Sequence, residues 1–495
     1  MVAIVAPESL ALVPSPDSPA TRTPSRREIH TDPTVTSNMS ETPPGPKGEP
    51  LFGSSRRYAR DPFSFISALE ETYDDVANFD MGPMETYMVT GPTDIERILV
   101  SEADSYRKPE FQNDALGDLL GDGLLLSEGE TWERQRELAN PAFRMSRLMG
   151  MADRVTGHAE SMVGGWTAGQ TVDSEGAMAR VTLHVILDLM MGVELSDSRV
   201  RTVQDQLDPL GRRFEPDPLR FAMPDWVPMP GDEEFESAVA TLDDVLDDIV
   251  AARRGREGVR GVSTVLDSPT EGDGPPMDFL SLLLRAQDRG EQSAEMLRDE
   301  MMTMLLAGHD TTALTLTYTW YLLSEHPEAE RRVQEEVDDV VGDERPNMDH
   351  VREFEYLDWV INEAMRLYPP VFTIFREPTE PVELGGYRVD AGSTLMLPQW
   401  GVHRSARYWD DPETFDPERF SPDRRDDRPR FAFFPFGGGP RHCIGKHLSL
   451  LEAKLIVATV VSEYELDFQG EGPLELMPSL TMHPRQTMEF RVEER

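Results

Sequence analysis

The sequence predicts a mainly α-helical protein with a little β-structure, on three observations. Apolar residues recur at helical spacing in many segments from Leu51 onward. Only short stretches alternate with the period of two that a half-buried strand needs. Strands and helices nowhere alternate strictly, which argues against a doubly wound sheet or a parallel barrel. Along the chain, residues 1–42 are rich in Pro, Ser and Thr and lack periodicity. They read as a disordered tail ahead of one folded domain over 43–495, with Met39 an alternative start to Met1. Residues 61–73, 94–101, 130–143, 178–191 and 235–254 carry the helical pattern. The turn-rich stretch 255–276 separates two helical blocks. Residues 293–324 form the longest helix candidate, Met-rich in its middle, and 351–367 and 442–464 follow. Residues 87–90, 387–389 and 394–397 alternate and suggest a minor sheet. No internal repeat is present.

The 495 residues are 39% hydrophobic, enough for a sizeable core. Charge is the informative figure: 48 Lys plus Arg against 91 Asp plus Glu leaves a net charge of −43. Such a chain is a poor binder of nucleic acid or anionic membrane, because phosphate recognition needs positive faces. Lys47, Lys108, Lys446 and Lys454 are the only lysines, so Arg carries almost all the positive charge. A GC-rich genome explains missing lysine but not surplus acid. An acid-rich, lysine-poor surface fits a halophile's cytosol of molar salt, where the Debye length shrinks to about 3 Å and carboxylate repulsion is screened.

One cysteine excludes an internal disulfide, a Cys-based zinc site and an iron–sulfur cluster. Cys443 is therefore either core filler or a single thiolate ligand or nucleophile. No run of about 18 apolar residues is available to span a membrane. The first residues are interrupted by Pro7 and Glu8 and lack a basic start, unlike a signal peptide, so a cytoplasmic protein is expected.

Four constellations carry chemistry. The strongest is Phe436-Gly437-Gly438-Gly439-Pro440-Arg441-His442-Cys443-Ile444-Gly445, where glycines permit a tight turn and Cys443 stands at the start of a predicted helix, whose free N–H groups favour a thiolate. The second is Ala307-Gly308-His309-Asp310-Thr311-Thr312 in the middle of the long apolar helix. Glycine there costs up to about 1 kcal/mol against alanine and buried polar groups need partners, so something offsets that cost. The third joins Glu363 and Arg366, one helical turn apart and followed by Pro369-Pro370, to Arg419 within Phe415-Asp416-Pro417-Glu418-Arg419-Phe420. The fourth is Trp132 and Arg136, four residues apart and so on one helix face.

Together these residues resemble the cytochrome P450 superfamily, the haem-thiolate monooxygenases, from residue 43 to the end. The resemblance implies a helical prism with a small β-rich lobe. It implies haem b with Cys443 as axial iron ligand and Phe436 screening the sulfur. Trp132, Arg136, Arg376 and Arg441 are then the candidates for the haem propionates. Asp310 and Thr311 would deliver protons to iron-bound oxygen, with Thr312 secondary. Ala307 and Gly308 would leave room for that oxygen, and the threonine would loosen the helix ladder. Glu363, Arg366 and Arg419 would form a buried structural triad. His309 reads as a packing residue, since a second strong iron ligand would block oxygen.

The stretch after Cys443 is too short for a fused reductase, so electrons are expected from NAD(P)H through a ferredoxin-type redox partner with its reductase. Arg424, Arg425, Arg428 and Arg430 either dock that partner or form a solvated turn. A monomer is expected that hydroxylates or epoxidises an apolar small-molecule substrate: a fatty acid, isoprenoid or carotenoid. Phe221, Met223, Trp226, Val227 and Met229 form an apolar loop that either admits such a substrate or packs on its own core. The alternatives are a haem-thiolate isomerase or peroxygenase, or a haem-based redox or gas sensor. Intact Asp310 and Thr311 weigh against the isomerase and peroxygenase, and no signalling module supports the sensor.

The charge predicts that stability rises with salt. Between 1 M and 0.01 M salt the Debye length grows from about 3 to about 30 Å, exposing the repulsion. The melting temperature should fall on dialysis to low salt; a salt-independent value would contradict the halophilic reading.

Overall fold

The computed structural model describes residues 42–220, 227, 229–256, 259–265 and 277–495. The tail expected over residues 1–42 therefore lies, but for Thr42, outside the described residues, as do Phe221, Met223 and Trp226 of the apolar loop and much of 255–276.

The centre of the fold is the helix Ala294–Glu325. It starts where Ser293 Oγ accepts the Met296 N–H at 3.0 Å, an N-cap that satisfies one of the free donors of the first turn. Met301, Met302, Leu305, Leu314, Leu316, Trp320 and Leu323 are all buried, so the helix is enclosed on nearly every side. Its main neighbour is the helix Ser174–Met191. A Cβ built on Gly308 would stand 2.6 Å from Ile186 Cδ1 of that neighbour. Gly308 is thus accounted for by close helix packing, and the space expected at this point for oxygen falls to Ala307 alone, which is exposed. The expected loosening at Thr311 is also absent: the helix is α throughout, and Thr311 Oγ1 donates back to Ala307 O at 3.2 Å.

Three predicted helices are divided. Residues 130–143 become the helix Gly129–Ala139 and the 3-10 turn Asn140–Phe143. Residues 351–367 resolve into a short turn, Met348–Val351, and the helix Tyr356–Leu367. The Glu336 carboxylate, from the helix Pro327–Val340, accepts the N–H groups of Glu355, Tyr356 and Leu357 at 2.8, 2.7 and 2.8 Å and so starts the second helix afresh. Residues 94–101 divide into Pro92–Glu96 and the π-helical turn Arg97–Ser101. The last helix begins at Lys446 rather than His442 and runs to Val461.

The β-structure is a lobe built on the hairpin Val76–Met81 and Met84–Val89. Thr394–Leu397 joins this hairpin in parallel, and Ile374–Pro378 pairs antiparallel with Thr394–Leu397. The edge strand Tyr106–Arg107 pairs with Ile374–Pro378, so Arg107 lies opposite Glu377 and forms an ion pair with it. This register carries Lys108 towards Arg376. A separate hairpin, Leu476–Pro478 with Met482–Pro484, is tied to the central helix by Tyr318 Oη donating to Met482 O at 2.7 Å. Among the described residues no helix is long and apolar enough to cross a membrane.

Candidate active site

The loop before the last helix turns on Gly439, at φ +63°, where a Cβ would stand 1.9 Å from Leu99 O of the π-helical turn. The missing side chain at Gly439 thus admits another stretch of the backbone as well as the tight turn. The Cys443 N–H donates to Phe436 O at 3.0 Å, closing the loop. The Cys443 side chain carries solvent-accessible surface, yet protein surrounds it. Burial pushes its thiol pKa up, while the N–H groups of Gly445 and Lys446 and the charge of Arg136 act in the opposite direction. The Lys446 ammonium lies 5.7 Å from the Phe436 ring centroid.

Cations gather beside this thiol. Arg136, on the helix Gly129–Ala139, donates to His442 O at 3.1 Å and reaches His442 Nε2 at 3.2 Å. Arg441 donates to Ser127 O at 2.8 Å, pairs with Glu128 and lies 4.3 Å above the Trp132 ring. The Trp132 face thus meets Arg441 of the Cys loop. Arg376 donates only to its neighbour's carbonyl, Phe375 O, at 2.7 Å. Burial and then the Arg441 charge lower its pKa to about 10. Lys108, which the sequence reading missed, is lowered to about 7 by burial and then by Arg441 and Arg376. Glu128 is the single carboxylate acting on Lys108 and Arg376. Among the described residues, Lys108, Arg136 and Arg376 form no ion pair. Lys108, Arg376 and Arg441, half-buried around one carboxylate and with Arg136 beside the thiol, suit an anionic partner carrying more than one charge.

The central helix supplies the opposite wall. Thr312 is buried and its Oγ1 meets Ser449 Oγ of the last helix at 2.9 Å, which ties the two helices together. Asp310 turns to the 476–484 hairpin, where Thr481 Oγ1 donates to its Oδ2 at 2.7 Å and His483 Nε2 lies 3.6 Å away. Burial raises the Asp310 pKa, but the facing His483 charge outweighs it and holds the carboxyl at about 2. His309 is buried, with Nδ1 on Leu305 O and its backbone carbonyl accepting from Thr182 of the Ser174–Met191 helix at 3.0 Å. Burial lowers its pKa, as suits a neutral packing ring.

This arrangement of an enclosed cysteine, a cation cluster and a long helix bearing Asp310 and Thr311 coincides with a match of residues 43–489 to the family model described as cytochrome P450. The chain belongs to the cytochrome P450 family. It is 30% identical over 451 residues to cyclooctat-9-en-7-ol 5-monooxygenase of Streptomyces melanosporofaciens, covering 87% of this chain and 93% of that one. It is 27% identical over 448 residues to pentalenene oxygenase of Streptomyces avermitilis, covering 89% and 95%. The protein LUTEIN DEFICIENT 5, chloroplastic, of Arabidopsis thaliana is 28% identical over 444 residues, covering 86% and 73%.

In this P450 the Cys loop is held from behind by a buried ion network. Arg366 clasps Glu363 through two bonds of 2.6 and 2.8 Å, with both side chains wholly buried. Arg419 Nε lies 3.3 Å from the same carboxylate. Arg366 also donates to His403 O at 2.9 Å, and His403 Nε2 accepts the Phe434 N–H at 3.0 Å. Burial and then the Arg366 charge lower the His403 pKa to about 3, which keeps it the neutral acceptor that bond needs.

The four arginines considered for docking do not act alike. Arg424, Arg425 and Arg430 are exposed, but Arg428 is half-buried with its guanidinium 4.1 Å from the Trp409 ring centroid. Burial lowers the Arg428 pKa to about 10, so it is part of the packing and not of a docking surface.

Replacing Arg366 with Met should leave the Glu363 carboxylate buried without its main partner and cost about 3–5 kcal/mol. Urea denaturation should show the midpoint falling accordingly, with poor haem retention. An unchanged midpoint would contradict the structural role of the triad.

Proposed function

We propose that this P450 is a monooxygenase of a cyclic isoprenoid, with Cys443 the axial ligand of haem b. The observation that carries the reading is one accessible, enclosed thiol beside four cations, Lys108, Arg136, Arg376 and Arg441, opposed by Glu128. That donor set fits a planar cofactor with a soft axial ligand on its iron and two carboxylates at its edge. Bound haem would supply reductive activation of O₂ and transfer of one oxygen atom to a C–H or C=C bond of the substrate.

The chain's own residues bind, orient and move protons. Lys108, Arg136, Arg376 and Arg441 would hold the propionates of the bound group, with Trp132 packed against Arg441. Phe436 screens the sulfur from water. Ala307 presents a small exposed side chain to the cleft. Thr311, whose hydroxyl rests on Ala307 O, and Asp310, beside it in sequence, handle protons at the oxygen site, with Thr312 fixing the helix against Ser449.

The substrate class is supported by relatives named for cyclooctat-9-en-7-ol and pentalenene. Electrons come from NAD(P)H through a ferredoxin and its reductase, with Arg424, Arg425 and Arg430 on the docking face. The enzyme works as a cytoplasmic monomer, and its net charge of −43 suits a saline cytosol.

Pentalenene and cyclooctat-9-en-7-ol should convert the ferric holoenzyme from its low-spin to its high-spin spectrum, whereas long-chain fatty acids should not. Thr311→Ala should keep that shift while product formed per NAD(P)H falls about tenfold, with peroxide in its place, because proton delivery loses its hydroxyl. Fatty acids alone producing the shift would overturn the substrate class; full coupling in Thr311→Ala would overturn the assignment of Thr311.

A further inference from the structure

Asp310 is ionised, largely enclosed and turned towards a hairpin remote in sequence, so a proton that it passes on has to be replaced. The groups around it form a continuous hydrogen-bonded series. Thr481 Oγ1 donates to Asp310 Oδ2 at 2.7 Å and lies 2.9 Å from His483 Nε2. His483 Nδ1 lies 2.8 Å from Glu175 Oε1, in the first turn of the Ser174–Met191 helix. With acceptors at both ring nitrogens, His483 is an imidazolium that donates to Glu175 and to Thr481. Accessibility rises outward along the series, from 18% for the Asp310 side chain through 22% for His483 to 28% for Glu175.

The hairpin that carries Thr481 and His483 is fixed by Tyr318 Oη on Met482 O and by the Met482 N–H on Pro370 O at 2.8 Å. We propose that Glu175, His483 and Thr481 form a proton path that ends on Asp310, with His483 the residue that carries the proton.

The inference rests on the reading that Asp310 and Thr311 handle protons in the reaction. Hydroxylation consumes substrate, O₂, two electrons and two protons and yields alcohol and water; the redox partner supplies the electrons and bulk water the protons. In each delivery the Nε2 proton passes to Thr481 Oγ1 as the Thr481 hydroxyl proton passes to Asp310 Oδ2. The neutral ring then turns its bare nitrogen to Glu175, which takes a proton from bulk water and hands it to the ring, restoring the imidazolium. His483 acts through Asp310 and does not touch substrate, so it is a positioning residue.

The electrostatics fix the resting state, in which the ring holds its proton and Asp310 is ionised, so the proton moves inward only as the reacting oxygen draws one through Asp310. Burial lowers the His483 pKa, but Asp310 and Glu175 outweigh it and bring it up to about 10. The other ionisable groups facing this cluster are Asp173, beside Glu175, and His309 and Tyr318 on the central helix. A carrier protonated up to about pH 10 supports turnover throughout the neutral range and loses it as pH rises through that value. Removing the Glu175 charge lowers the His483 pKa, so the alkaline limb should move down towards neutrality.

The test compares Glu175→Gln, His483→Gln and Thr311→Ala holoenzymes, with pentalenene or cyclooctat-9-en-7-ol as the probe substrate. His483→Gln should lower O₂-driven product formation about tenfold and raise the solvent isotope effect. Its peroxide-driven turnover, which brings its own protons, should stay within about twofold of the parent. Glu175→Gln should shift the alkaline limb of the O₂-driven rate to lower pH. Nitrogen shifts of labelled histidine should show the His483 imidazolium titrating at that same lower pH. If Thr311→Ala uncouples but the glutamine variants keep the parent's rate and pH profile, the proton path is wrong and the role of Thr311 stands. If Thr311→Ala is fully coupled, the underlying reading fails. Equal loss of O₂-driven and peroxide-driven turnover in His483→Gln would reduce His483 to a structural residue and overturn the proposal.

Discussion

The Glu363 carboxylate is the constraint on which the rest of this structure depends. It is wholly buried, and a charge so placed persists only if its partners are fixed. Arg366 and Arg419 satisfy it from one side, and the Asp416 N–H donates to it at 2.9 Å. The same arginines spend their remaining donors on backbone: Arg366 on His403 O and Pro412 O, and Arg419 on Asp411 O. The irregular chain from His403 to Phe420 is therefore organised around one negative charge. Through the His403 ring that order reaches Phe434, two residues ahead of Phe436 and the turn that presents Cys443. The loop that presents Cys443 is thereby tied by hydrogen bonds to the buried ion network.

Electrostatics separates the molecule into two regimes. The surface is heavily acidic, and the whole chain carries a net charge of −43. Beside Cys443 the sign reverses: burial, and then the Arg441 charge, lower the proton affinity of Lys108 and Arg376, with Arg136 beside the thiol. Like charges packed under low dielectric are costly alone, so this region is complementary to a dianion such as the one proposed above. Across the site the carboxylates of Asp310 and Glu175 are balanced by His483. Positive charge thus gathers beside Cys443, while Asp310 and Glu175 share one histidine.

Much of this was legible in the sequence. The apolar run placed the central helix within a residue at each end, and the strands Tyr387–Val389 and Thr394–Leu397 emerged as read. The cysteine loop was visible as a motif, and the Glu363–Arg366–Arg419 set as what the family resemblance implied. What was not legible depends on partners distant in the chain. The break before Tyr356 comes from Glu336, in another helix, and the purpose of Gly308 comes from Ile186. His403 and His483 have no local pattern, because what defines them is a backbone N–H and two carboxylates brought together by folding. Lys108 did leave a trace: it is one of four lysines, next to Arg107 and before a proline.

The central claim is that Cys443 ligates the cofactor iron through its thiolate. The reduced carbon monoxide difference spectrum of the purified protein, recorded beside that of Cys443→His, tests it most directly. The parent should give the strongly red-shifted Soret band of a thiolate-ligated haem, and the variant should bind haem but lose that band. The same red-shifted band in both proteins, or its absence from the parent, would contradict the account.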